Sequence, residues 1–168
     1  MKLANLLEPS RIILEMNATE HWPAINELVD QLVTSNRLPA EHRDEMLQAF
    51  WAREEQVSTG IGAGVAIPHA FSDDLEEVVA VFGRSSTGID FQALDGAPVH
   101  LIILFIVPRK DYHLHLRTLA AIAKFFTNVE VREALVEAKN SQHIMDIFHS
   151  KPSRNTTKVE LPPPPAKP

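Results

Sequence analysis

Val99-His100-Leu101-Ile102-Ile103-Leu104-Phe105-Ile106-Val107 is apolar at every position but one. The run ends at Pro108 and is too short to cross a bilayer. It also lacks the alternation of a strand with one wet face, so it predicts a strand covered on both sides. Upstream, Glu77-Val78-Val79-Ala80-Val81-Phe82-Gly83 predicts a second strand, with Leu94-Asp95-Gly96 as a turn between the two. Downstream, the stretch from Asp111 to Phe126 carries Leu116, Leu119, Ala120, Ala123 and Phe126 at helical spacing. Shorter helices are expected near Glu130 to Ala138 and Ser141 to His149.

The first half repeats the alternation of helix and strand. Arg11-Ile12-Ile13-Leu14 is a short strand candidate. Thr19 is placed to cap a helix carrying Trp22, Ile25, Leu28, Val29 and Leu32, with Pro23 tolerated in its first turn. A second helix from about Ala40 sets Met46, Leu47, Phe50 and Trp51 on one side and runs into Arg53 and Glu54. A glycine-rich loop and the brief strand Val65-Ala66-Ile67 follow. The expected fold class is α/β, a single layered domain with a central mixed β-sheet flanked by helices on both faces.

Composition narrows the function. The 168 residues suit one domain, expected over residues 1–150. The segment 151–168, with six prolines, reads as a disordered tail. A net charge of −6 gives nucleic acid no footprint. No cysteine means no disulfide and no thiolate chemistry. The first residues carry charge and proline too soon for a signal-peptide core, and no membrane insertion is expected. The expected location is the cytoplasm.

Chemistry concentrates in Ser58-Thr59-Gly60-Ile61-Gly62-Ala63-Gly64-Val65-Ala66-Ile67-Pro68-His69. Glycines at 60, 62 and 64 let backbone N–H groups converge on an anion, with hydroxyls from Ser58 and Thr59 and a guanidinium from Arg53 nearby. No lysine follows to make a P-loop, and Val65 breaks the dinucleotide fingerprint. His69, fixed behind Pro68, is open to three roles beside a plain packed histidine: phosphoryl acceptor, general base or metal ligand. His113 and His115 stand two apart on a predicted helix and therefore point to different sides, which leaves a metal site little support. The five other histidines, at 21, 42, 100, 143 and 149, read as structural or surface residues.

Together, Arg53-Glu54, Ser58-Thr59-Gly60-Ile61-Gly62, Gly64-Val65-Ala66-Ile67-Pro68-His69 and His115-Leu116 with Thr118-Leu119 resemble one family. It is the enzyme IIA domain of the fructose–mannitol type (type 2) in the bacterial phosphoenolpyruvate-dependent phosphotransferase system, nearest its nitrogen-related branch. The resemblance implies that His69 is phosphorylated, that His115 is the second active-site histidine, and that Arg53 helps bind the phosphoryl group. It implies a histidine phosphocarrier protein as donor and neither metal nor organic cofactor. Ser58, Thr59, Gly60 and Gly62 are expected to hold phosphate oxygens alongside Arg53 and His115. Val57, Ala70 and Arg117 depart from residues frequent in the family, which touches subfamily and partner choice and leaves the chemistry intact. Three functions follow as alternatives: a regulator switched by phosphorylation, a transport component passing phosphate to an enzyme IIB, or a non-catalytic anion-binding module.

Overall fold

The computed structural model describes residues 2–150, so the expected tail at 151–168 lies outside the described residues. The elements run β1 (Ile12–Ile13), α1 (His21–Thr34), α2 (Arg43–Gln56), β2 (Gly60–Gly62), β3 (Val65–Ala66), β4 (His69–Ser72), β5 (Val79–Ile89), β6 (Val99–Pro108), α3 (Tyr112–Phe126), α4 (Val129–Glu137) and α5 (Ser141–His149). The apolar run from Val99 to Val107 lies in β6. It pairs antiparallel with β5 on one side and parallel with β3 and β4 on the other. β1 joins β5 in parallel, and β2 joins β3 antiparallel, so the sheet is mixed.

Period-two alternation splits the sheet's side chains between two cores. Leu101, Ile103, Phe105 and Val107 of β6 join Ile122 and Phe126 of α3, with α4, α5 and the N-terminal turns. Ile102, Leu104 and Ile106 meet Leu28 and Leu32 of α1 and Phe50 of α2. Each fully covered Leu, Ile or Phe contributes about 1.5–3 kcal/mol relative to exposure, which is why β6 tolerates no polar face.

Two local features differ from the sequence reading. Thr19 caps no helix: α1 starts at His21, Glu20 makes no side-chain cap bond, and the Thr19 carbonyl instead accepts the Asp90 N–H at 2.9 Å. Tertiary pairing of Glu20 with Asp90 sets that helix start. His69 does not end a strand either; it begins β4. The strand pauses at Ile67-Pro68 and resumes against β6 with an unchanged pairing offset, Val65 facing Leu101 and His69 facing Phe105. Proline lacks only the donor, and the Pro68 carbonyl still accepts the Phe105 N–H at 3.1 Å. Val65 and Ile67 pack with Phe71 against the α3–α5 side, whereas Ala66 and Ala70 face α1 and α2.

The β2–β3 hairpin turns through Gly62 (φ 101°), Ala63 (φ 57°) and Gly64 (φ 77°), all left-handed. Gly60 is glycine for a different reason. A Cβ there would lie 2.8 Å from both Cα and Cβ of Ala93.

Candidate active site

His69 enters the site from the first position of β4 and stacks on its register partner Phe105, ring centroids 5.3 Å apart at 17°. Its Nδ1 lies 2.9 Å from the Ile67 carbonyl oxygen. A carbonyl only accepts, so in the neutral ring Nδ1 carries the proton and Nε2 carries the lone pair. Among the described residues no protein group hydrogen-bonds Nε2. Only 8% of the residue is exposed, which leaves a narrow approach to that nitrogen.

α3 supplies the second imidazole. Asp111 caps the helix, its carboxylate accepting the Leu114 N–H at 2.9 Å, and this fixes the first turn in which His115 sits. The His115 ring lies 5.2 Å from that of His69, backed by Phe71 at 4.8 Å and Tyr112 at 5.9 Å. His113, its neighbour but one, is exposed, as its helical spacing predicts.

Burial holds the His69 pKa below the ordinary imidazole value; the charges of Arg53 and His115 add to this, while the Ile67 carbonyl and Glu54 oppose it. His115 is lowered too, by burial first and by Arg53 second. Both shifts favour the neutral ring, the form in which nitrogen is a nucleophile. Arg53 is in the last turn of α2, where its guanidinium donates to the Val57 carbonyl at 2.8 Å. It is only partly buried, and its charge acts on both imidazoles. A cation whose field reaches two largely neutral imidazoles is an arrangement chemically suited to an anion.

The loop residues are arranged less simply. The Ser58 hydroxyl donates to the Phe91 carbonyl at 2.9 Å and accepts the Gly60 N–H at 3.1 Å. The Thr59 N–H donates to Glu54 at 2.9 Å, and its hydroxyl donates to the same carboxylate. These donors are spent on the protein itself. The Ile67 N–H donates to the Thr59 carbonyl at 2.9 Å, which brings Thr59 beside the residues that precede His69. Gly62 stands opposite Val65, four strand residues from His69, or about 13 Å at 3.3 Å per residue. The structure thus gathers His69, His115 and Arg53, sets Ser58, Thr59 and Gly60 behind them, and leaves Gly62 apart. Among the described residues, the trio with metal-ligand spacing is His42, Glu45 and Asp74, which excludes both site histidines.

Residues 5–151 match the family described as phosphoenolpyruvate-dependent sugar phosphotransferase system, EIIA 2. The chain belongs to this family. It is 36% identical over 140 residues to the fructose-specific EIIA component of Haloferax volcanii, covering 80% of this chain and 90% of that one. It is 28% identical over 153 residues to a nitrogen regulatory protein of Bradyrhizobium diazoefficiens, covering 91% and 98%. A longer relative, the fructose-specific EIIABC component of Bacillus subtilis, is matched over 23% of its length at 34% identity. The crystal structure of the nitrogen regulatory protein IIA-Ntr from Neisseria meningitidis superimposes with a TM-score of 0.79 at 29% identity, covering 87% of this chain and 98% of that one. The Escherichia coli complex of enzyme IIA and phosphorylated enzyme IIB for mannitol shares the fold, with a TM-score of 0.71 at 20% identity over 85% of this chain and 96% of that one. As an EIIA component the chain is a phosphotransfer protein, and no helix among its described residues is long and apolar enough to cross a membrane.

One part of this EIIA site was not found by sequence reasoning. Glu54 is buried, and beyond Thr59 its carboxylate meets His21 Nε2 at 2.9 Å. The other His21 nitrogen faces the Gln92 side-chain oxygen at 3.2 Å. Burial pulls the His21 pKa down, but the bonds to Glu54 and Gln92 and the charges of Glu54 and Asp90 outweigh it, and the net direction is up. Thirty-three residues separate His21 from Glu54, so no local spacing announces the pair.

Proposed function

We propose that the chain is a phosphoryl carrier that accepts its phosphoryl group on Nε2 of His69 from the phosphohistidine of a histidine phosphocarrier protein. In this reading residues 1–150 form the carrier domain and the protein works in the cytoplasm as a regulator of the nitrogen type. The observation that carries it is the His69 ring itself: Nδ1 tied to the Ile67 carbonyl, Nε2 unpartnered, and the ring biased toward neutrality.

The step balances simply. The Nε2 lone pair forms the new N–P bond as the donor's N–P bond breaks; the donor imidazole leaves with that electron pair and takes a proton from water, while the His69 ring keeps its Nδ1 proton on the Ile67 carbonyl. Such transfers depend on alignment and on stabilising the charge on the phosphoryl oxygens. The charge of Arg53 and the nearness of the His115 ring support giving them that second task, with Ser58, Thr59 and Gly60 bracing the wall behind them. Loading His69 adds roughly −1.5 to −2 charge at one surface point, enough to make or break contact with a target protein. Exposed Tyr112 of α3, its ring 5.9 Å from that of His115, stands beside that point.

A second reading is that the phosphoryl group passes on to an enzyme IIB. Identity to a fructose-specific EIIA component, and likeness in fold to a IIA that is complexed with phosphorylated IIB, favour it. The test is incubation with labelled phosphoenolpyruvate and the general phosphotransferase proteins. Wild type is expected to form one acid-labile phosphohistidine, and His69→Ala none. Label in His69→Ala at the wild-type rate overturns the assignment; onward transfer to a IIB selects the transport reading; the absence of any phosphohistidine in wild type selects an anion-binding module.

A further inference from the structure

An unbroken chain of hydrogen bonds joins the buried Glu54 to the reacting ring. Glu54 accepts the Thr59 N–H at 2.9 Å and the Thr59 hydroxyl. The Thr59 carbonyl accepts the Ile67 N–H at 2.9 Å. The Ile67 carbonyl accepts the His69 Nδ1–H at 2.9 Å. Behind Glu54 stands His21, held between that carboxylate and Gln92 and packed on Phe91 with ring centroids 4.0 Å apart. A carboxylate whose side chain is 2% exposed is costly to bury, and here it is satisfied from two directions.

We propose that Glu54 is a positioning residue of the phosphoryl-transfer site: by anchoring Thr59 it fixes the Ile67 carbonyl, and that carbonyl decides which nitrogen of His69 is free to react. This rests on the proposed acceptance of phosphate at His69. Without the anchor, Thr59 and Ile67 shift together, the Nδ1–H loses its acceptor, and the ring exchanges tautomers. Nδ1 then becomes a second, misaligned nucleophile. His21 acts one step further back, holding the carboxylate against Thr59.

The contrast between Glu54→Gln and Glu54→Asp separates position from charge. Gln keeps the length, accepts from the Thr59 N–H, and finds hydrogen-bonding partners in Thr59 and a neutral His21. Asp keeps the charge but withdraws the carboxylate by one C–C bond, about 1.5 Å. The Gln variant is expected to be phosphorylated within about threefold of the wild-type rate. The Asp variant is expected to lose ~10- to 100-fold, the scale of an ångström's misplacement. Regiochemistry is the readout that a merely structural role does not move. ³¹P NMR is expected to show only Nε2-phosphohistidine in wild type and Glu54→Gln, and a mixture with the Nδ1 isomer in Glu54→Asp.

Asp at the wild-type rate with a single isomer overturns the proposal, as does Gln falling as far as Asp. If the Asp variant fails to fold by circular dichroism, Thr59→Ala serves. It removes the hydroxyl half of the anchor and leaves the Thr59 N–H on Glu54, so a smaller loss with some Nδ1 isomer is expected, and an unchanged rate with a single isomer overturns the proposal. ¹⁵N NMR of the His69 ring reads the tautomer without any transfer. Absence of phosphohistidine in wild type together with a Nδ1–H tautomer that survives in Gln and is lost in Asp refutes the functional reading and supports the anchor. A tautomer unaffected in all variants refutes the anchor alone.

Discussion

Gly60→Ala puts a methyl group where Ala93 already stands. The added Cβ lies 2.8 Å from two Ala93 atoms and 3.3 Å from the Phe91 ring, whereas ordinary contact begins at 3.4 Å. The backbone at Gly60 is not left-handed, so the whole cost is steric. β2 and the Ala93 turn must separate, which strains the bond from the Leu94 N–H to the Gly60 carbonyl, now 2.9 Å. Overpacking of this kind costs about 1–3 kcal/mol, and a lost backbone hydrogen bond adds about 1 kcal/mol. The expected destabilisation is therefore about 2–4 kcal/mol, a large share of a domain's usual ~5–15 kcal/mol. Urea unfolding monitored by circular dichroism measures it as a lower midpoint with an unchanged slope. Gly96→Ala is the comparison: its φ is +72° with nothing within 4 Å, so only backbone strain of about 1–2 kcal/mol is expected. A Gly60→Ala loss below about 0.5 kcal/mol, within the range of an inert surface substitution, would refute the packing argument and hand Gly60 back to ligand binding.

Arg53→Gln is expected to slow phosphorylation by ~10²–10³, the usual loss for one charge-stabilising donor. It should also raise the pKa of both His69 and His115, read by NMR titration of the two rings; unchanged titrations would place Arg53 away from them. His115→Ala is expected to cost ~10² in single-turnover transfer while leaving the phosphate on Nε2. Because His69 is held below the ordinary 6.5, wild-type phosphorylation should fall on the acid side with its midpoint below pH 6.5. His21 shifts the other way. Its stabilising contribution is complete below pH 6.5 and fades as pH rises through its raised folded value, so His21→Gln should lower the urea midpoint more at pH 6 than at pH 9.

What the sequence made legible follows from period and chemistry. β6 announced itself because eight apolar residues in a run of nine leave no room for a wet face, and α3 because its apolar residues recur at helical spacing. His69, His115 and Arg53 were legible through a long motif, and the fold sets the two rings together. β4 was missed because Pro68 reads as a stop; the parallel ladder needs its carbonyl and not its absent N–H. Thr19 looked like a cap because local preference knows nothing of Asp90. The inward commitments of Ser58 and Thr59 depend on Phe91 and Glu54, whose positions only the closed fold supplies. The glycines hid two physical demands behind one residue type, a close approach at 60 and left-handed turns at 62 and 64.

The unchanged offset across Pro68 makes β3 and β4 one strand with two residues counted but only partly paired. Side-chain parity survives the pause, which is why His69 comes up on the same side as Val65 and meets α3. Removing a single residue between Ala66 and His69 would turn the imidazole over toward α2 and present Ala70 to His115. Removing two would restore the sides while shortening the reach. The segment keeps count like an odometer: an odd change in its length turns the imidazole to the other face, and an even one keeps the face but slides the ring along β6 away from Phe105 and His115.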